Sequence, residues 1–400
     1  MFKWFMLFCY IVLITYIFLR GTKWLKFILP LFKHKGIQSV LGVLYIVLAS
    51  TIFWGSFLPL GKVKTLSAKI GNVWLGFFVL LLFFLLAADI IFGTLKLVNR
   101  KKELPILKQR WAALCIGVAV LVPVVVLTIY GTYHANRIYT SEYEVTVNKE
   151  VEGVSELKIA LVADMHLGYG MGCPAMEDMV KKINATKPDV VILAGDIFNN
   201  DYDALDNPER LEEIFRGIQA KEGVYAVWGN HDIKETLVGG FSIASKTLAF
   251  RDERMEHFME NAGITVLMDE MTPLLGGKIQ LVGRLDGQKA GDGTSNRESI
   301  QELTQKLDHS KPVFVICHEP NNLQGSADCG VDVLLSGHTH DGQFFPLTLT
   351  QPFVWDNPCG LLKVGNMYSL VTAGVGYYGP ALRIGTNAEV MSVTVKFAAS

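Results

Sequence analysis

The chain has 400 residues, half of them hydrophobic, with a mean hydropathy of +0.31 and a formal net charge of −1. These values exclude a disordered, highly charged chain and are too apolar for a purely soluble protein of ordinary make-up. Six irregularly spaced cysteines exclude both a disulfide framework and a CxxC metal clip, although they leave individual bridges open.

The apolar excess lies in the first third, as four stretches at residues 4–19, 37–60, 73–98 and 111–130. The last three match the roughly 20 residues needed to cross a bilayer, and the first is near the lower limit. A cleaved signal peptide is the alternative for the first stretch. Against it, only Lys3 precedes the apolar run, and no small-residue cleavage site follows. Asp89 falls inside the third stretch. A lone acid there is expected to face a neighbouring helix or the headgroups rather than mark an ion path.

Before residue 134 there are 15 Lys/Arg against two acids, a balance of +13; after it there are 22 against 36, a balance of −14. The bases of the first part crowd two connections. One holds Arg20, Lys23, Lys26, Lys33 and Lys35; the other holds Lys96, Arg100, Lys101, Lys102, Lys108 and Arg110. The remaining connection has only Lys62, Lys64 and Lys69. The positive-inside rule then puts the two richer connections in the cytoplasm and everything after the fourth stretch outside, as a multi-pass plasma-membrane protein with an extracytoplasmic domain. The acidic balance of that domain disfavours nucleic acid as a partner.

From about Glu144 the pattern becomes short β-branched runs alternating with amphipathic segments, which reads as an α/β domain. Expected boundaries are 1–134 for the membrane region and 144–400 for the second domain. Candidate strands are "LKIALVAD", "PDVVILAGD", "GVYAVWGN", "IQLVGR", "KPVFVICH", "VDVLLSG", "YSLVTAG" and "VMSVTVKF", with helices at 174–185, 208–221, 251–262 and 297–307. The Gly-rich stretch 286–296 reads as a solvated surface loop, with a substrate lid as the alternative.

Five of these strands end in metal-ligating or amide residues: Asp164 and His166; Asp196; Asn230, His231 and Asp232; His318; and His338 and His340. In open α/β sheets the carboxyl ends of strands line the ligand crevice, so the pattern gathers these groups on one rim. A single polar strand end is an ordinary turn former, but five together are hard to reconcile with turn chemistry alone. Imidazole, carboxylate and side-chain amide suit manganese, iron or zinc, and the absence of thiolates disfavours a closed structural zinc site. Two ions about 3.5–4 Å apart need a bridging carboxylate. Asp196, directly after a glycine, is the candidate.

The motif series resembles that of the calcineurin-like metallophosphoesterase superfamily: Asp164-Met165-His166, Gly195-Asp196, Gly229-Asn230-His231-Asp232, His318 and Gly337-His338-Thr339-His340, in that order. The resemblance covers residues 158–389. It implies a two-sheet αββα sandwich preceded by the helical membrane region, and hydrolysis of a phosphate ester or anhydride. It also implies two divalent ions, manganese favoured over iron or zinc. One would be held by Asp164, His166, Asp196 and His340, the other by Asp196, Asn230, His318 and His338.

Branch features narrow the expectation. Purple acid phosphatases carry a Tyr where this chain has Asn199, and Ser/Thr protein phosphatases carry an Asp-Arg-Gly that "GDIFNND" lacks. The tail "AGVGYYGPALRIGTNAEV" looks like that of the membrane-associated bacterial branch that includes YkuE-type phosphodiesterases.

The expected chemistry is in-line attack on phosphorus by a hydroxide shared between the metals. His231 is expected to serve the leaving oxygen, with Asp232 orienting it; a structural role is the alternative. Arg284 and Arg383 are weighed between a contact to a second substrate anion and surface ion pairing. The substrate class is a phosphorylated small molecule, a lipid or lipid-linked diphosphate, or an envelope component. Rival readings are a non-catalytic membrane scaffold or sensor, and a transporter with an accessory domain.

Overall fold

The computed structural model of the chain describes residues 2–54, 57–59, 61–98, 109–235, 237–238, 241–242, 250–293 and 297–398. Arg100, Lys101, Lys102 and Lys108 of the expected basic connection, and the last three residues of the 286–296 loop, lie outside them. The chain separates into two compact units. One comprises residues 1–132 with 237–243 and 379–381, and the other comprises the rest.

In the first unit, four helices are long and apolar enough to cross a membrane: α1 (Phe2–Ile28), α2 (Lys35–Trp54), α3 (Lys62–Val98) and α4 (Arg110–Ala135). Two of them run well past the apolar stretches. Arg20, Lys23 and Lys26 lie on the last turns of α1 rather than in a connection, and Lys62, Lys64 and Lys69 lie on the first turns of α3. Long basic side chains make this tolerable, because their stems cover apolar surface while the charge reaches water or headgroups. Asp89 faces a neighbouring helix, where it takes hydrogen bonds from Tyr16 and Arg20 of α1.

The second unit follows in the order β1 (Ile138–Glu150), β2 (Glu156–Val162), α5 (Cys173–Thr186), β3 (Val190–Ala194), α6 (Pro208–Arg216) and β4 (Val224–Val227), where the chain is interrupted by the short pair β5 (Leu237–Val238) and β6 (Phe241–Ser242), which belongs to the first unit. It continues with α7 (Glu253–Asn261), β7 (Thr265–Val266), β8 (Glu270–Leu274), β9 (Ile279–Gly283), α8 (Ile300–Thr304), β10 (Val313–Ile316) and α9 (Leu323–Asp328). The last elements are β11 (Val333–Ser336), β12 (Gly360–Val364), β13 (Met367–Val371) and β14 (Ala388–Ala398).

Two six-stranded sheets result, ordered β1-β14-β2-β3-β4-β7 and β12-β13-β11-β10-β9-β8. Their middles are parallel: β2, β3 and β4 in the first, and β9, β10, β11 and β13 in the second. Parallel strands covered on both faces read as unbroken apolar runs, as "VVILA" and "VFVI" do. Alternation then assigns the faces. Leu157, Ile159 and Leu161 of β2 share one core with Phe314 and Ile316 of β10 and Leu335 of β11. Val313 and Val315 of β10 point the other way, with Ile300 and Leu303 of α8 and Leu323 of α9. Each such side chain contributes about 1.5–3 kcal/mol on burial. This is the calcineurin-like two-sheet αββα sandwich preceded by a four-helix membrane region.

Candidate metal centre

The loops after β2, β3 and β4 and those after β10 and β11 all leave the carboxyl ends of parallel strands, so one rim collects residues from both sheets. The backbone there is unusual. Asp164, His166, Asp196, His338 and His340 all have positive φ, between 47° and 74°, a conformation that non-glycine residues rarely adopt. Such strain costs about 1 kcal/mol or more per residue and persists where the surroundings over-determine it, typically at functional sites. Close approach matters equally. A Cβ on Gly229 would stand 2.2 Å from Asp196 Oδ1, and one on Gly337 would stand 2.6 Å from Asp164 Oδ2.

All seven expected ligand residues meet on this rim. His166 Nε2 lies 3.1 Å from His340 Nε2, and His340 Nε2 lies 3.7 Å from Asp164 Oδ1. In a second group, His338 Nδ1 lies 3.2 Å from His318 Nε2, and Asn230 Oδ1 lies 3.1 Å from the former and 3.2 Å from the latter. Asp196 joins the two groups: its Oδ2 is 3.2 Å from His318 Nε2 and 3.8 Å from His166 Nε2.

These spacings fit divalent ions. Donors about 2.1 Å from a metal stand about 3.0–3.4 Å apart around a tetrahedral or octahedral centre. Most of the pairs fall in that range, and the two carboxylate–imidazole pairs at 3.7 and 3.8 Å need only a small adjustment. Asp164, His166 and His340 form one compact candidate group, and Asp196, His318 and His338 form another. His318 Nδ1 donates to the carbonyl of Ala194 at 2.8 Å, and Nε2 faces the cluster; against the effect of burial, Asp196 holds this imidazole well above its ordinary value, so a cation bound there would take the place of the Nε2 proton.

The electrostatics agree with sites for cations. Burial pushes His166 and His338 down to about 3 and His340 well below its ordinary value, so these imidazoles are neutral and their ring nitrogens can act as ligands. Burial also pushes Asp164 up to about 7, against the pull of His318. For Asp196 burial acts in the same sense, but His318 and His231 outweigh it and hold the carboxyl well below the usual range. Carboxylates this deeply buried are costly without positive charge nearby.

Other expected residues take different places. His231 is on the rim, its backbone N–H donating to Asp196 Oδ1 at 2.8 Å. Its ring nitrogen Nδ1 meets Asn200 Oδ1 at 2.6 Å, not Asp232. The Asp232 carboxylate is occupied elsewhere, accepting from the N–H groups of Phe198 at 2.7 Å and Gly229 at 2.8 Å. It pins the loops after β3 and β4 together, and among the described residues no hydrogen bond links it to the His231 ring, whose Nδ1 is taken by Asn200.

Neither arginine is a surface group. Arg383 is wholly buried, with Nη2 donating to the carbonyls of Ala373 (2.7 Å), Gly374 (3.2 Å) and Gly376 (2.7 Å) and Nη1 to that of Asn387 (3.0 Å). The carbonyls of Ala373, Gly374 and Gly376 belong to the loop that packs on Asp164, so Arg383 braces the site from behind. Arg284 is buried at the end of β9, donating to the carbonyl of Glu298 at 3.1 Å. Among the described residues, no hydrogen bond or ion pair links it to either donor group.

Several site residues carry no signal in the sequence. Asn200 holds His231, Tyr378 lies 4.4 Å from the His231 ring, and Trp355 meets His338 edge-on at 5.3 Å. Glu319 Oε1 stands 3.7 Å from His338 Nε2, the nitrogen pointing away from the cluster. The glutamate directly after His318 could have been singled out by that adjacency alone; the others are brought in by the tertiary fold.

Residues 157–342 match the family model described as calcineurin-like phosphoesterase. A zebrafish (Danio rerio) transmembrane protein with metallophosphoesterase domain is 30% identical over 80% of this chain and 72% of its own length. A cattle (Bos taurus) protein of the same description is 27% identical over 73% of this chain and 64% of its own length. The uncharacterized metallophosphoesterase YkuE of Bacillus subtilis is 26% identical over 67% of this chain and 89% of its own length. The likeness thus extends to animal and bacterial proteins alike. With its ordered motif series, two-sheet sandwich and membrane helices, the chain belongs to the calcineurin-like phosphoesterase family.

Proposed function

We propose that the protein is a membrane-anchored phosphoesterase that uses two divalent metal ions. The observation that supports this most directly is the pair of donor groups sharing Asp196, whose Oδ2 lies 3.2 and 3.8 Å from imidazoles on either side. Asp164, His166, Asp196 and His340 would hold one ion, and Asp196, Asn230, His318 and His338 the other, with manganese the favoured metal. Such ions supply Lewis-acid activation of water and charge neutralisation at phosphorus. The chain's own residues do the rest. Asn200 fixes the His231 ring through Nδ1, leaving Nε2 to exchange a proton with the leaving oxygen. Tyr378 and Trp355 wall the cluster and limit water around the reacting group.

In this reading residues 1–134 anchor and residues 144–400 catalyse, on the extracytoplasmic side by the positive-inside count. The tail sequence supports kinship with the membrane-associated YkuE-type branch. An apolar ridge supports a lipid-borne substrate: Leu347, Leu349, Phe353 and Val354 are exposed, Phe353 at 90%, directly before Trp355 at the cluster.

The detergent-solubilised protein with manganese should hydrolyse a lipid diphosphate or phosphodiester faster than a water-soluble monoester. Asp196→Ala and Asn230→Ala should each lower turnover by more than about a hundredfold while the protein stays folded. Undiminished turnover in both variants would remove the basis for the assignment.

A further inference from the structure

The first unit contains a feature that the phosphoesterase reading does not use. A cavity of about 990 Å³ opens between α1, α3 and α4. That lies at the upper end of the roughly 300–1,000 Å³ typical of small-ligand sites. Its apolar depth is formed by residues from the interior of the spans, Leu81 and Leu85 of α3 and Leu121 of α4. Lys23, Lys26 and Lys33 also line it, following the apolar run of α1, as does Arg110, the first residue of α4.

The charge is one-sided. Among the described residues no acid lines the cavity, and the nearby Asp89 is already engaged by Arg20 and Tyr16. Among the described residues, Lys23, Lys26, Lys33 and Arg110 have no carboxylate partner. One wall is fixed by a specific contact between α1 and α4: Trp24 Nε1 donates to the carbonyl of Ala113 at 2.7 Å, and its ring fills the space over Gly117, where a Cβ would lie 2.1 Å away. Basic residues at a helix end serve as an orientation signal by themselves. Basic residues rimming an apolar cavity between spans also match an amphiphile with an anionic head.

We propose that this cavity seats an anionic glycerophospholipid, its acyl chains against Leu81, Leu85 and Leu121 and its phosphate at Lys23, Lys26, Lys33 and Arg110. A zwitterionic lipid carries a cationic group that the rim would repel, so the site selects for net negative charge.

The test uses the full-length protein in mild detergent with chelator present, so that no hydrolysis intervenes. Native mass spectrometry would titrate dioleoyl phosphatidylglycerol against dioleoyl phosphatidylcholine. The wild-type protein should bind the former at least about tenfold more tightly. Combining Lys23→Gln, Lys26→Gln and Arg110→Gln should bring the ratio close to one, and Leu85→Trp should weaken both lipids by filling the depth. Glycerol 3-phosphate in excess should fail to displace the bound lipid. Equal affinities in the wild type, selectivity that survives the triple substitution with an unchanged circular dichroism spectrum, or displacement by glycerol 3-phosphate would each overturn the proposal. The wild-type comparisons decide the matter even where the triple variant does not fold. No arm reads phosphoester hydrolysis, so this test and that of the metal centre fail independently.

Discussion

The side-chain oxygen of Asn200 stands 2.6 Å from Nδ1 of His231 and fixes which ring nitrogen carries the proton. Asn200→Ala should lower kcat about 10- to 100-fold with two metals still bound. Asn200→Asp should keep the contact but strengthen the imidazolium form, moving the alkaline limb of the kcat–pH profile upward. Metal content by plasma mass spectrometry alongside steady-state kinetics checks this. An Asn200→Ala variant with full kcat would show that the contact does not position the ring for catalysis.

Arg383 braces the loop behind Asp164 through carbonyls that only a guanidinium can gather at once. Arg383→Met leaves those carbonyls buried without donors, at a cost of about 3–5 kcal/mol. Metal affinity should fall too, because Gly376 N–H donates to the carbonyl of Asp164 at 2.8 Å. A substrate contact, one of the two roles weighed for this arginine, predicts instead a raised KM at unchanged stability. Chemical denaturation followed by metal titration separates the two.

The sequence showed most of the buried architecture and little of its margins. All eight expected strands are present, because interior parallel strands such as "VVILA" have no polar positions to confuse the period. The strands not expected are mostly edges. β1 alternates apolar with exposed Glu, Thr and Lys, β8 contains Pro273, and β12 is short. An edge strand has one flank in solvent and needs no continuous apolar run. The helix expected at 208–221 stops at Arg216, where Gly217 follows. The seven residues gathered on the rim were legible as a set because each ends a strand within a local motif. Asn200, Trp355 and Tyr378 were not, because their proximity to the cluster comes from loops distant in the chain.

Gly229 is tested by adding a single methyl group. In Gly229→Ala the new Cβ would meet Asp196 Oδ1 at 2.2 Å and the Asp196 backbone nitrogen at 2.5 Å, so the shared carboxylate must move. Metal affinity by calorimetry should drop about 10- to 100-fold. Gly263→Ala is a control of similar chemistry at a site where a Cβ meets nothing, and should leave metal binding intact despite its positive φ.

Metal should also act as a stabiliser. An ion that binds only the folded chain, at 100 times its dissociation constant, adds about 2.7 kcal/mol, or about 5–10 °C in the melting temperature of a domain this size. Differential scanning fluorimetry with manganese and then with chelator should show that gain appear and vanish. Asp196→Ala should show a much smaller response, and an equal response would mean that the ions bind elsewhere.

The pairing of β14 between β1 and β2 bears on how the protein is made. Val145 of β1 sits opposite Val395 of β14, and Leu157 of β2 takes the other side of the same residue. Two hairpin-distance neighbours in the chain are therefore separated in space by a segment synthesised some 240 residues later. During translation the first sheet remains gapped until that segment emerges, and the exposed edges of the nascent domain have to be shielded from one another in the meantime.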